Sequence, residues 1–166
     1  MQIQGQAALV TGGGSGLGEA VARELARQGA KVAVVDVNAA NAERVAGEIG
    51  GRAFVADITD AASLTQAVEA AEAAHGTARI VMNIAGIGSA KRVVGKDSSP
   101  APLEDFERVV RVNLIGTYNV VRLTAARIAT PPSSHAMVAP RRSSTRTSRA
   151  GPSPTLTVKR PPPWWR

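Results

Sequence analysis

The 166 residues contain no cysteine, which excludes a disulfide framework and a thiolate metal centre. Histidine is almost as scarce, and His75 and His135 are too few and too far apart to build a metal site. Aromatic residues make up 3% of the chain, with Tyr118 the single tyrosine, so any tyrosine-based proton chemistry has one candidate. No run approaches the roughly 18 consecutive apolar residues of a membrane span. Residues 1–5 lack the basic and apolar regions of a secretory signal, so a soluble, cytoplasmic protein with no membrane association is expected. Acid is missing from one part only: residues 130–166 carry 7 Lys+Arg and no Asp or Glu, whereas residues 1–129 balance 13 against 13. The net charge of +7 therefore belongs to the tail.

Glycine, by contrast, is concentrated where it carries meaning. Residues 11–18 read Thr-Gly-Gly-Gly-Ser-Gly-Leu-Gly, between the apolar run Ala7–Val10 and the helix-like stretch Glu19–Gln28. A strand, a glycine turn and a helix N-terminus in that order let backbone N–H groups approach a pyrophosphate, and the helix dipole adds partial positive charge there. Further short runs rich in Val, Ile and Ala follow at Lys31–Asp36, Arg52–Asp57 and Arg79–Asn83, after the first at Gln6–Thr11. Lacking a clean period of two, they read as strands buried on both faces. Between them lie Ala-rich helical segments, Glu19–Gln28, Ala39–Ile49 and Asp60–Ala74, with Gly29, Gly50 and Gly76 at the stop positions. Such alternation predicts an α/β doubly wound parallel sheet of order 3-2-1-4. After a loop at Ile84–Ala101, Pro102 opens the longest helix, with Leu103, Phe106, Val110 and Leu114 on one stripe, running to about Ala129.

Ligands of open α/β sheets bind beyond the carboxyl ends of the strands. Asp36 ends the second strand, where a carboxylate accepts hydrogen bonds from adenosine ribose hydroxyls and repels a 2′-phosphate, favouring NAD over NADP. Asp57-Ile58 ends the third, a place for a carboxylate near the adenine amino group and an apolar side chain against the ring. Asn83-Ile84-Ala85-Gly86 ends the fourth, where small residues admit the backbone to the second ribose. The alternative for Asp36 and Asp57 is that each caps the helix that follows.

These residues, together with Thr11-Gly-x-x-x-Gly16-x-Gly18 and Asn113 within Val112-Asn113-Leu114, resemble the short-chain dehydrogenase/reductase family over residues 5 to about 129. Leu103-Glu104-Asp105-Phe106 and the stretch after Asn113 are similar to the branch that contains type 2 3-hydroxyacyl-CoA dehydrogenases. The resemblance implies the N-terminal half of a Rossmann-type domain in residues 1–129 and NAD as cofactor. Its contacts would fall on Gly12, Ser15, Gly16, Leu17, Gly18, Asp36, Asp57, Ile58, Asn83, Ile84, Ala85 and Gly86. It also implies a small-molecule secondary alcohol as substrate, with an acyl-CoA suggested by the branch, and homo-oligomers in the family at large. Asn113 takes the place of the family's catalytic asparagine, which holds a bend in the long helix and binds a water of the proton relay.

The family's serine and Tyr-x-x-x-Lys pair do not follow. Tyr118 has Arg122 four places on and reads as a packing aromatic, and Ser143, Ser144 and Ser148 lie in the basic tail without a strand around them. At Thr130 the composition changes: residues 130–166 hold 8 of the 10 prolines, which predicts a disordered Pro/Arg/Ser-rich tail. Read one base earlier, the codons of Pro154 to Lys159 can spell Tyr-Ala-Asn-Ser-Lys, and those of Ser143 to Arg146 can spell Val-Ile-Asn-Thr. A change of reading frame near Thr130 is therefore expected, leaving a chain without the chemistry. The competing reading is a dinucleotide-binding fragment whose Arg141-Arg142, Lys159-Arg160 and Trp164-Trp165 form a nucleic-acid-binding arm. The tryptophans are adjacent rather than interleaved with the basic residues, so no nucleic-acid partner is expected.

Overall fold

The structure, a computed structural model, describes residues 2–129. The expected tail disorder, the basic arm and the tail serines lie outside the described residues. Element order is β1 (Ala7–Thr11), α1 (Gly16–Arg27), β2 (Lys31–Asp36), α2 (Ala39–Ile49), β3 (Arg52–Val55), α3 (Ala61–His75), β4 (Ile80–Asn83), α4 (Leu103–Val110), a π-helical segment Arg111–Gly116, and α5 (Thr117–Ala129). The four strands form one parallel sheet of order β3-β2-β1-β4, so the doubly wound architecture and its strand order are as the sequence predicts. Among the described residues no helix is long and apolar enough to cross a membrane.

Strand alternation divides the core in two. On one face Ala8, Val10, Val32, Val34 and Ile80 meet Ala22 and Leu25 of α1 and Ala42, Val45 and Ala46 of α2. On the other, Leu9, Ala33 and Val35 meet Leu64, Ala67, Val68 and Ala71 of α3 and Val120 of α5. Register sets Thr11 beside both Val35 and Asn83, which aligns the carboxyl ends of β2, β1 and β4 along one rim.

Several expectations are corrected. Two-sided burial holds for β1 and for the middle of β2, but β3 and β4 are only partly covered. Among the described residues β3 pairs only with β2 and β4 only with β1, so these edge strands keep the apolar composition of interior ones without their cover. Helix α1 starts at Gly16 rather than Glu19, because Ser15 is the extended N-cap residue and the glycine turn supplies the first helical turn itself. The long helix is interrupted at Arg111–Gly116, and its stripe points outward: Leu103, Phe106 and Leu114 are exposed. Tyr118 is 67% exposed rather than packed, because α5 turns Asn119, Val120 and Thr124 inward instead.

Candidate functional site

A cleft of about 540 Å³ opens at the carboxyl rim of the sheet, lined by the glycine turn, the end of β2, residues 56–58, residues 84–87 after β4, Arg108 of α4 and Val112 of the π-helical segment. Its floor is tight. A Cβ on Gly18 would stand 1.9 Å from the Gly12 carbonyl oxygen, and one on Gly12, itself at φ +67°, would stand 2.7 Å from the Ala85 backbone. Gly16 has nothing within 4 Å of its Cβ position, so the turn is closed towards the protein and open above. The first N–H groups of α1, from Gly16, Leu17 and Gly18, have no preceding helical turn to bond to. Thr11 fastens β1 to the chain after β4: its buried hydroxyl donates to the Met82 carbonyl (3.4 Å) and accepts from the Ile84 and Ala85 N–H groups (3.3 and 3.4 Å).

Asp36 sits where β2 meets this turn. Its Oδ2 accepts the Gly14 N–H (2.9 Å) and its Oδ1 the Asn38 N–H (3.0 Å), which fixes the carboxylate and leaves each oxygen further acceptor capacity. It does not cap α2, whose N-cap is Asn38, accepting from the Asn41 N–H. Asp57 likewise does not cap α3; Asp60 does, while Asp57 Oδ1 accepts from the N–H and hydroxyl of Thr59 (2.8 Å each). The capping alternative thus fails for both carboxylates. Ile58 lines the cleft, yet it is buried, packs against Gly116, and accepts the Asn119 Nδ2 hydrogen bond (2.8 Å) through its carbonyl.

Of the twelve positions expected to contact cofactor, eleven line this one cleft; Asn83 does not. Asn113 is not part of the lining either but grips its wall: Oδ1 accepts the Ile87 N–H (2.9 Å) and Nδ2 donates to the Ile87 carbonyl (2.8 Å). The helix widens to π geometry over Arg111–Gly116, the segment that carries Asn113. Val35, Val37, Ala56, Ile87, Arg108 and Val112 also line the cleft, and sequence reasoning assigned them no role. A charged cluster behind the turn was equally unforeseen. Arg44 of α2 grips both oxygens of Glu19 of α1 (2.7 and 3.1 Å) and donates to the Gly14 carbonyl (3.2 Å), while Arg23 joins Glu19 (2.6 Å) to Glu48. These guanidinium hydrogen bonds, Arg44 foremost, hold the Glu19 carboxyl down at about 2.

Residues 6–135 match the family described as short chain dehydrogenase. The 3-hydroxyacyl-CoA dehydrogenase type-2 of Bos taurus is 40% identical over 129 residues, 76% of this chain and 49% of its own length. The mitochondrial borneol dehydrogenase of Lavandula x intermedia is 32% identical over 158 residues, 95% of this chain and 60% of that one. Among solved structures, the 3-ketoacyl-(acyl-carrier-protein) reductase of Brucella melitensis complexed with NADH superposes with a TM-score of 0.68 at 42% identity, covering 75% of this chain and 51% of that chain. The chain thus spans about half the length of relatives it matches.

Proposed function

The chain belongs to the short-chain dehydrogenase family, and we propose that its rim cleft binds NAD as the dinucleotide half of an oxidoreductase acting on secondary alcohols such as 3-hydroxyacyl-CoA. The observation that carries this reading is the Asp36 carboxylate, fixed by Gly14 and Asn38 at the edge of a glycine turn that leads into a helix N-terminus. A pyrophosphate fits over Gly16, where a Cβ meets open space, and the N–H groups at the start of α1 face a negative charge favourably. Two ribose hydroxyls suit a carboxylate with spare lone pairs, whereas a 2′-phosphate meets like charge. NAD rather than NADP follows. When bound, NAD supplies a hydride acceptor; the chain's own part is to bind, orient and exclude.

Proton transfer is the part this sequence does not carry. Tyr118 is exposed, and Arg122 four residues on donates from Nε to Asn119 Oδ1 (2.8 Å), so no Tyr-x-x-x-Lys pair stands ready. The 166-residue chain is read as a dinucleotide binder without turnover, and residues 130–166 as the product of a changed frame. Resequencing the codons for residues 125–166 tests the frame: a corrected read that restores Ser and Tyr-x-x-x-Lys supports it, and a clean read of the present frame overturns it. Asn113, by holding Ile87, shapes the wall next to which the nicotinamide end would lie.

Fluorescence titration of the full chain with NADH and NADPH tests the cofactor assignment. NADH is expected to bind more tightly, with Asp36→Ala reducing the preference at least roughly tenfold, about 1.4 kcal/mol. Equal affinities for the two in the unaltered chain, or a ratio indifferent to Asp36→Ala, would count against it.

A further inference from the structure

The charged cluster behind the glycine turn is larger than a helix–helix fastening requires. Helices α1 and α2 present two carboxylates, Glu19 and Glu48, and two guanidinium groups, Arg23 and Arg44, in one connected set whose charges cancel. Arg44 does not line the cleft but is the member bonded to the glycine turn. Its Nη2 reaches past Glu19 to the Gly14 carbonyl (3.2 Å), and the N–H of that same Gly14 is bonded to Asp36 (2.9 Å). A Cβ on Gly14 would lie 2.9 Å from both the Asn41 Cβ and Asp36 Oδ2. Gly14 is therefore wedged between the carboxylate proposed to read the ribose and the first turn of α2, with Arg44 less than one turn beyond Asn41. Gly14 thus bonds both the Asp36 carboxylate and this positive charge, which Glu19 holds bidentately.

We propose that Glu19 is a specificity-determining residue: by keeping Arg44 neutralised and tied to the Gly14 carbonyl, it withholds that cation from a 2′-phosphate and so sharpens the NAD preference set by Asp36. The inference rests on the reading of the cleft as a dinucleotide site. Two distinct effects follow from the geometry. Glu19→Gln leaves the cluster with one net positive charge, and the freed guanidinium can swing towards an anion at the rim. Arg44→Gln leaves one net negative charge and removes the only side chain that bonds the Gly14 carbonyl among the described hydrogen bonds. The first change favours NADPH relative to NADH, and the second disfavours it.

A unit charge acting across roughly 8 Å at the protein surface, at an effective dielectric between protein and water, corresponds to about a fivefold change in the affinity ratio. Screening sets a control, since exposed charges this far apart lose most of their interaction when the Debye length shrinks to about 3 Å at 1 M salt. Affinities for NADH and NADPH would be measured by nicotinamide fluorescence at low ionic strength on the full chain, on Glu19→Gln, on Arg44→Gln and on the double variant, each checked for folding by circular dichroism. The proposal expects the NADH/NADPH ratio to fall about fivefold in Glu19→Gln, to rise about fivefold in Arg44→Gln, to return near the starting value in the double variant, and to lose both shifts in 1 M salt. A purely structural fastening would weaken both nucleotides alike and leave the ratio still. Ratios that stay within twofold, or that move the same way in both single variants, overturn the proposal while leaving the cleft assignment intact. Should Glu19→Gln not fold, the rise in Arg44→Gln decides alone. If the unaltered chain binds neither nucleotide, the cleft assignment itself fails and the proposal fails with it.

Discussion

Two glycines of this chain should respond to the same substitution in opposite directions. Gly18, in the first turn of α1, has room for nothing: a Cβ would stand 1.9 Å from the Gly12 carbonyl oxygen, more than an ångström inside the 3.0 Å below which real Cβ contacts do not occur. Gly12 cannot yield cheaply. It is itself at φ +67°, and rotating the peptide that follows it breaks the Gly13 N–H bond to the Val35 carbonyl (3.2 Å). Overpacking costs about 1–3 kcal/mol and a lost hydrogen bond about 1 more, so Gly18→Ala should destabilise by about 2–4 kcal/mol. Gly47, exposed in the last turn of α2 with nothing within 4 Å, should do the reverse. Alanine there restricts the unfolded chain and suits the helix, a gain of about 0.5–1 kcal/mol. In urea melts with a slope of about 2 kcal/mol/M, the midpoint should drop by about 1–2 M for Gly18→Ala and rise by up to about 0.5 M for Gly47→Ala. Against a total stability of about 5–15 kcal/mol, the first change is large enough to see without ambiguity. If Gly18→Ala melts where the unaltered chain does, the close approach of α1 to the turn is not what holds this site together.

Other perturbations reach different parts of the molecule. Asn113→Ala removes both bonds to the Ile87 main chain, and at about 0.5–1.5 kcal/mol each on an exposed site should cost about 1–2 kcal/mol in all, read as faster hydrogen exchange at the Ile87 amide; unchanged exchange there would refute the clamp. Glu19, whose folded carboxyl is depressed to about 2 from an ordinary 4.5, contributes stability that is complete above about pH 4.5 and lost as pH falls towards 2; acid titration of Glu19→Gln should lack that part of the loss, and an identical profile would refute it. Exposed Leu103, Phe106, Leu114, Ile115 and Tyr118 along α4, the π-helical segment and α5 should make the 166-residue chain bind hydrophobic dyes and associate at micromolar concentration. Replacing Phe106 and Leu114 together by serine should suppress both while moving the melt by no more than about 1 kcal/mol, and persistent association would place its cause elsewhere.

The parts of this fold that were readable in the sequence are those written in neighbouring residues. The glycine turn, the Asp36 that follows β2, and the stops at Gly29, Gly50 and Gly76, all three at positive φ, each follow from local backbone requirements. The alternation of strand and helix fixed which residues arrive at one rim, and so eleven of twelve expected positions meet in one cleft. What stayed hidden depends on pairs far apart in the chain. Arg44 meets Glu19 from 25 residues away and Asn119 meets Ile58 from 61, and no periodicity within a single helix signals either. Edge burial was hidden differently: Arg52–Val55 and Ile80–Asn83 have the composition of interior strands, and only their place at the ends of the order β3-β2-β1-β4 uncovers them.

That division explains why cofactor recognition is legible here and catalysis is not. A dinucleotide of this kind is held largely by main-chain groups at the start of one helix and by carboxylates at successive strand ends, a pattern that the first 86 residues supply in order. Acid–base catalysis needs side chains placed against a bound substrate, and these come from distant parts of a chain. Asn113 is the described residue that joins the two tasks. It stands on the helix that would carry the proton relay, and each of its polar atoms makes one bond to Ile87, three residues past the Ile84 whose N–H is bonded to Thr11. In this chain the asparagine therefore serves the cleft wall, and one Nδ2 hydrogen and one Oδ1 lone pair are left over for a further partner.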